Sequence, residues 1–443
     1  LALNQKLIDG PWIFLNSRSG FPFGCNLLDY PVPDIGSLLI LKALGLWFGS
    51  SQTAMNLYFL IGFPVTFICS YVFFRGMSFF RSLAVAASLL FVFLPYHFQK
   101  IPHLFDTWYF VVPVFFYFSM RLFCSDAIFS KQKNFLKASL LFFCAFFGVY
   151  YAFFGLLTIL AGALGGAIRF RSLQRLVTGF GVIAILILGV LISVGPHIQH
   201  RMTRGGNPEV AQRTAAETEI NGLKLVQLIL PRQEHRFEGF RKITERYNEF
   251  PLVNENATAA LGMTGAFGFL LLLGLMFFSA CGGRTDVRLS FFCITTISLF
   301  LFATVGGLSS LFALAVSPIL RAWHRISVFI GFGSIAAVFL ILQMAIVKFF
   351  PKSQAGGIAM TLAAVLCVFG FWDQTIPVST ARAESIKSSF ENDRVFISGI
   401  ERSVPKNAAI YQLPYMGFPE TPDINQLPDY GLLTGYIHSK SLR

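Results

Sequence analysis

The sequence predicts an all-α polytopic membrane bundle that ends, at its C-terminus, in a partial extracytoplasmic α/β domain. Three observations predict it. The 443 residues are 55% hydrophobic and include 52 phenylalanines, and the mean hydropathy is +0.64, which no soluble globular domain tolerates. Apolar runs approaching the ~20 residues that a helix needs to cross a bilayer recur along the chain. Basic residues gather in every second short loop between those runs, the pattern of cytoplasmic loops. The net charge of +13 therefore belongs to the loops and does not indicate a nucleic-acid partner.

Residues 1–53 contain Asp9-Gly-Pro, Ser19-Gly-Phe-Pro-Phe-Gly24 and Asp29-Tyr-Pro-Val-Pro-Asp34, whose glycines and prolines break any helix. Residues 36–48 read as an apolar helix too short to span. Spans are expected at about 54–74, 82–96, 107–123, 136–149, 151–168 and 177–196, and after a polar insert at about 259–280, 289–306, 324–347 and 354–371. The runs 82–96 and 136–149 are short, as happens where a bundle surrounds a cavity at one face. Tyr150 and Tyr151 fall between two runs with no polar linker, so they mark either a broken helix or a very tight turn.

The basic loops carry Arg75 and Arg81; Arg121, Lys131, Lys133 and Lys137; Arg169, Arg171 and Arg175; Arg284 and Arg288; and Lys348 and Lys352. Placing them inside puts residues 1–53, 96–106, 197–258 and 307–323, and the tail from Trp372, on the other face. The domain division is then a membrane domain, 1–371, and the start of a soluble domain, 372–443. In the insert, Asn221–Pro231 is amphipathic and suits the membrane interface. Asn256-Ala-Thr258 matches a glycosylation acceptor, a motif common by chance. In the tail, Ala381–Arg402 reads as an amphipathic helix and Ala408–Leu413 as a strand. The chain begins without Met and stops at Ser-Leu-Arg443, as expected of a fragment cut at both ends. Its seven cysteines show no C-x-x-C and no metal spacing; Cys69, Cys144, Cys293 and Cys367 lie in apolar runs and read as packing residues.

The polar residues that suit chemistry all fall on the outer face. The stretch Leu94–Asp106 packs His97, Lys100, His103 and Asp106 between two apolar runs, with Pro95 and Pro102 shaping the backbone. It reads either as an interfacial turn or as one wall of an active site. Asp9, Asp29 and Asp34, His235 and Glu255, and Arg321, His324 and Arg325 join it on that side. Arg321 and Arg325 are spaced i,i+4 at the mouth of a span, so on a helix both guanidinia point one way. Such a pair suits a phosphate or diphosphate, and equally a lipid headgroup. Pro318 is placed to start that helical turn, and Trp323 suits the headgroup belt. A carboxylate opposite the phosphate would be a general base for an incoming hydroxyl, with His103 orienting it or touching the departing phosphate. The spans hold almost no carboxylates, which argues against ion-coupled transport. Nucleotide-loop, H-E-x-x-H and G-x-S-x-G signatures are absent from the sequence.

The order of these elements resembles the GT-C class of integral-membrane glycosyltransferases, in particular its bacterial, polyprenyl-phosphate-sugar-dependent, YfhO-like members. The resemblance covers most of the chain. It rests on the Gly-, Pro- and Asp-rich first outer loop, on Pro95-Tyr-His97 and Pro102-His103-Leu after a short span, and on Leu230-Pro231 and His235. Glu255, Leu261-Gly262, Arg321-x-x-x-Arg325 and a soluble segment after the last span complete it. It implies a sugar moved from a polyprenyl-phosphate donor to a glycan, lipid or protein acceptor at the outer face of the bacterial cytoplasmic membrane. It implies an acidic base in the first outer loop, here Asp29 or Asp34. Catalytic roles are then expected for Asp29, Asp34, His103 and Asp106, and substrate binding for His97, His235, Glu255, Arg321 and Arg325. No cofactor and no metal ligand are expected, and the resemblance leaves a divalent-ion requirement open. The alternatives are a lipid-linked-sugar flippase or transporter and a non-catalytic membrane protein of envelope assembly.

Overall fold

The computed structural model describes the chain apart from residue 11 and residues 31–33, 125–133, 209–212, 378 and 418–422. Lys131 and Lys133 lie outside the described residues. Among the described residues the structure is a polytopic helical bundle with no strand, only isolated β-bridges. All ten expected spans are helical. Among the described residues eight helices are long and apolar enough to cross a membrane: Ser51–Gly76, Arg81–Gln99, Ile101–Cys124, Val149–Phe170, Leu173–Arg204, Gly262–Ala280, Trp323–Phe349 and Lys352–Gln374. The other two, Asn134–Cys144 and Val287–Ala303, are shorter, as is Ile35–Phe48. The tyrosine pair resolves as a break: Asn134–Cys144 ends, Gly148 takes φ +93°, and Tyr150 and Tyr151 lie in the first turn of Val149–Phe170. Glycine reaches that backbone region without steric cost.

The chain divides into two units. The larger comprises Phe59–Val190 and Arg213–Ile376. Its centre is Ser327–Phe349, whose run from Ser327 to Ala337 is buried throughout. Helices Gly262–Ala280, Val287–Ala303, Arg81–Val92 and Lys352–Gln374 pack around it. Phe73, Phe74, Phe91, Phe116 and Phe332 interlock in its core with ring centroids 4.8–5.5 Å apart. Close helix approach depends on small residues. A Cβ on Gly162 would meet Ser119 Oγ at 2.2 Å, and one on Gly268 would meet the Ser334 carbonyl oxygen at 2.2 Å. Outward faces stay apolar: Ile68, Val72, Phe267, Phe277, Val365 and Val368 are exposed. An apolar exterior over a packed interior is the arrangement that hydrocarbon, and not water, rewards.

The smaller unit comprises Leu1–Tyr58, Leu191–Gln212 and Pro377–Arg443, so the tail from 377 groups with the N-terminal segment. Helix Ala2–Asp9 packs on Ile35–Phe48. Arg18 donates to Asp9 at 2.6 Å and to the Ser439 carbonyl at 2.6 Å. Thr380–Ser403 is helical, as expected for 381–402. The expected α/β domain is not found. Ala408–Leu413 is irregular: Ile410 N–H donates to the Arg443 carbonyl (2.7 Å), Arg443 N–H to the Ala408 carbonyl (2.9 Å) and Ala408 N–H to the Pro405 carbonyl (3.1 Å), and its Tyr411 and Leu413 are exposed. A strand needs a partner ladder, and among the described residues the two bonds with Arg443 do not make one.

Candidate functional site

In the larger unit, helix ends bring residues from four separate segments to one place. The first is the corner after Arg81–Val92. Pro95 begins the short helix Pro95–Gln99, where a missing N–H costs nothing. The turn Ile101–Thr107 follows with His103 kinked out of helical geometry (φ −112°, ψ 65°). The second is the turn Glu255–Ala259, capped by Asn254. Asn256 anchors it: its Oδ1 accepts from Gln227 at 2.6 Å, and its Nδ2 donates to the carbonyls of Ile220, Gly222 and Leu252 at 3.1–3.3 Å. Asn256 is fully buried, which excludes it as a glycosylation site in the fold. The third is Trp323–Ile326, and the fourth is the start of Val149–Phe170.

These turns assemble Lys100, His103, Asp106, Glu255, His324 and Arg325. Arg325 Nη1 lies 3.3 Å from Asp106 Oδ2 and its Nη2 3.9 Å from Glu255 Oε2. His103 Nε2 lies 3.5 Å from the same Glu255 oxygen, and His324 Nε2 4.0 Å. Lys100 Nζ is 3.0 Å from His324 Nε2. An ammonium only donates, so that ring nitrogen accepts, which leaves Nδ1–H to face the Asn221 carbonyl at 3.4 Å. Tyrosines complete the floor. Tyr150 lies under the Arg325 guanidinium (4.8 Å to the centroid), and its hydroxyl accepts from the N–H groups of Arg321 and Ala322 at 3.1 and 3.2 Å. Tyr151 OH donates to the Asp106 carbonyl at 2.5 Å and lies 3.1 Å from Tyr96 OH.

The cluster is graded from inside to outside. Lys100 and His324 are buried, Asp106 and Arg325 are 13% and 15% exposed, and His103 and Glu255 are 42% and 47% exposed. The open carboxylate is therefore Glu255, not Asp106. The His103 imidazole beside it holds the Glu255 carboxyl well below the usual carboxylate range, against the desolvation that opposes this; the Lys100 ammonium adds to the lowering. Lys100 falls between two spanning helices, and burial pushes its ammonium down to about 8, partly offset by Asp106 and Glu255. The arrangement combines an ionised, approachable carboxylate with an imidazole and two cations, the equipment to deprotonate a hydroxyl beside an anionic leaving group. Among the described residues no group of three His, Cys, Asp or Glu side chains is placed to hold a metal.

The other expected residues go elsewhere. The i,i+4 geometry of Arg321 and Arg325 is not found, because Ser317–Ala322 is not helical and Pro318 sits in a turn. Arg321 pairs with Glu217 at 2.6 Å, away from the Arg325 pairs. Trp323 is not in a headgroup belt; it is fully buried among Phe153, Phe154, Phe302 and Phe312. His97 is buried against Phe59 and Phe63, with Nδ1 3.2 Å from Tyr109 OH, and makes no ion pair in the cluster. His235 pairs with Asp373 at 3.3 Å, both buried. Asp373 also accepts from Met263 N–H at 2.7 Å, so it caps Gly262–Ala280 while holding the insert.

Asp29 and Asp34 belong to the smaller unit. Asp29 lies 3.7 Å from His200 and 3.4 Å from Asn207 Nδ2. Asp34 caps Ile35–Phe48, accepting from Ser37 N–H at 3.2 Å. Of the amphipathic stretch Asn221–Pro231, Leu225–Ile229 forms a short helix; a second short helix, Ala216–Ile220, precedes the stretch.

Sequence reasoning missed Tyr96, Tyr150, Tyr151 and Glu217. The tyrosines carried a signal, a Tyr-Tyr pair after Gly148 at the mouth of a span; Glu217, in a polar insert, carried none. No family model matches the chain, and no curated protein shows significant similarity to it.

Proposed function

We propose that the protein is a membrane glycosyltransferase that moves a sugar from a polyprenyl-phosphate donor to a glycan, lipid or protein acceptor at the outer face of a bacterial cytoplasmic membrane. The observation that carries this reading is the half-exposed Glu255–His103 pair set 3.9 Å from Arg325 at the helix ends of an apolar bundle. In the proposed step Glu255, oriented by His103, takes the proton of the acceptor hydroxyl. The oxygen attacks the anomeric carbon, a C–O bond forms, and the bond to the phosphate oxygen breaks. The electron pair leaves on the lipid phosphate, which Arg325 and Lys100 stabilise as charge develops. The first-loop base is replaced in this reading, since Asp34 is engaged as a helix cap.

One observation weighs against a flippase. The charged side chains of the spanning helices lie near their ends, and the buried hydroxyls of Ser70, Ser88, Thr158 and Thr295 bond back to carbonyls of their own helices. No charged path through the bundle is present among the described residues. The test is transfer of radiolabelled sugar from synthetic polyprenyl-phosphate donors by the purified protein in proteoliposomes. Labelled product with wild type supports the reading; labelled lipid that crosses the bilayer unreacted sinks it in favour of the flippase.

A further inference from the structure

The segment between Val287–Ala303 and Trp323–Phe349 joins two helix ends at the face that carries the charged cluster. It contains the helix Leu308–Ala315, which bears no charged residue. One side of this helix is built into the protein. Ser309 and Ala313 are buried, and Phe312 packs on Phe153 at 4.9 Å and on Trp323 at 6.1 Å. Glu219 anchors its start, accepting from Gly306 N–H at 2.8 Å and from the Ser310 hydroxyl. The other side is largely uncovered among the described residues: Leu308, Leu311 and Leu314 are 53%, 63% and 74% exposed. Their i, i+3, i+6 spacing makes one stripe. Val316 and Ile319 continue it at 70% and 66%. Past them the chain turns polar at Arg321, which pairs with Glu217.

We propose that residues 308–319 form a lip inserted into the lipid leaflet at this end of the bundle, with hydrocarbon chains covering the Leu308–Leu311–Leu314–Val316–Ile319 face. The occupant follows from position. The segment hangs between two helices that end at one membrane surface, its outward stripe is purely apolar, and the first cation after it stands where a headgroup would. Water at that face would leave five large apolar side chains exposed in one patch, which soluble surfaces avoid. An interfacial helix of this kind sits about 5–10 Å into the headgroup and acyl boundary. The lip leads to Arg321 and Tyr150, whose ring lies under Arg325, so a lipid entering sideways from the leaflet would bring its polar head to the cluster. The inference rests on the placement of the stripe and holds whether or not the protein transfers sugar.

The test uses the full chain in phosphatidylcholine vesicles, with an environment-sensitive fluorescent amino acid in place of Leu311, Leu314 or, as an aqueous reference, Glu245, which is 62% exposed on a polar helix. Monodispersity in detergent verifies that each variant is folded. At 311 and 314 the emission is expected to shift to the blue, to be quenched by lipids brominated high on the acyl chain, and to resist aqueous iodide. The Glu245 position is expected to behave oppositely. Iodide quenching at 311 and 314 equal to that at 245 would overturn the proposal. Shielding from both quenchers would also overturn it, since a protein partner would then cover the lip.

Discussion

The larger unit carries two polar clusters at helix ends, and they are built in opposite ways. Around Asp373 the carboxylate and the imidazole are both committed. His235 and Asp373 are buried, Asp373 also caps a helix through Met263 N–H, and His235 Nδ1 accepts from Phe237 N–H at 3.0 Å. Around Glu255 the contacts are looser, 3.5 to 4.0 Å, and the outer members stand half in solvent. Both contain histidine, carboxylate and arginine side chains, so the residue types present do not separate them. Exposure does: the closed cluster fastens the insert to Lys352–Gln374, and the open one presents a half-exposed carboxylate and imidazole.

The largest expected effect breaks the fastening. Asp373→Ala leaves the buried His235 Nε2–H without its acceptor and uncaps Gly262–Ala280; an unsatisfied buried donor costs about 1–3 kcal/mol and a lost cap about 0.5–2 kcal/mol. Thermal unfolding in detergent is expected to show a strong drop in midpoint, while turnover per folded molecule stays near wild type. A midpoint within error of wild type would mean that the two clusters do not differ in the way described.

Next in size is Arg325. Arg325→Ala is expected to weaken donor-lipid binding by roughly tenfold or more, with the protein still inserted and folded because Lys100 remains near Asp106. Arg325→Lys should recover only part, since an ammonium lacks the forked geometry. Equal affinities in all three proteins would remove Arg325 from the donor site.

A subtler change sharpens the role of His103. Glu255 is held below its ordinary value chiefly by His103, so its ionised form persists as pH falls below about 4.3, the unperturbed value for Glu. The sign follows: a lowered folded value contributes stability above the unfolded one and loses it only as pH falls through the folded one. The acid limb of transfer should therefore lie below the ordinary carboxylate range in wild type. In His103→Ala it should move up toward about 4.3. A limb that stays in place would assign the proton-accepting step to another group. The smallest effect belongs to Arg321→Ala: its pair with Glu217 is partly exposed, and such pairs contribute at most about 1 kcal/mol.

Much of this was legible in the sequence. Hydropathy located the eight helices long and apolar enough to cross a membrane and, among the described residues, the shorter apolar ones as well, because a bilayer demands continuous apolar length and backbone bonds satisfied within each helix. The corner at 95–106 announced itself by two prolines and four ionisable residues between spans. The rest was hidden for physical reasons. Arg321 and Arg325 share a helical spacing, yet Pro318 and the burial of Trp323 set the local backbone, and tertiary packing outranks spacing there. His235 and Glu255 looked equivalent in the insert, and only the fold shows that one is consumed by Asp373, 138 residues away in sequence. The tail held a strand-like stretch at 408–413, but β structure is non-local and its missing partner could not be read from the stretch itself.

The central claim is that the open cluster reacts and the closed one holds. The most direct measurement compares Glu255→Gln and Asp373→Asn in the same proteoliposome transfer assay, with rates normalised to folded protein. Loss of a positioned general base costs roughly 10²- to 10⁴-fold, so Glu255→Gln is expected to lose transfer on that scale while melting like wild type, and Asp373→Asn to melt early yet turn over normally while folded. Glu255→Gln turning over like wild type, or the two variants exchanging these phenotypes, would contradict the account.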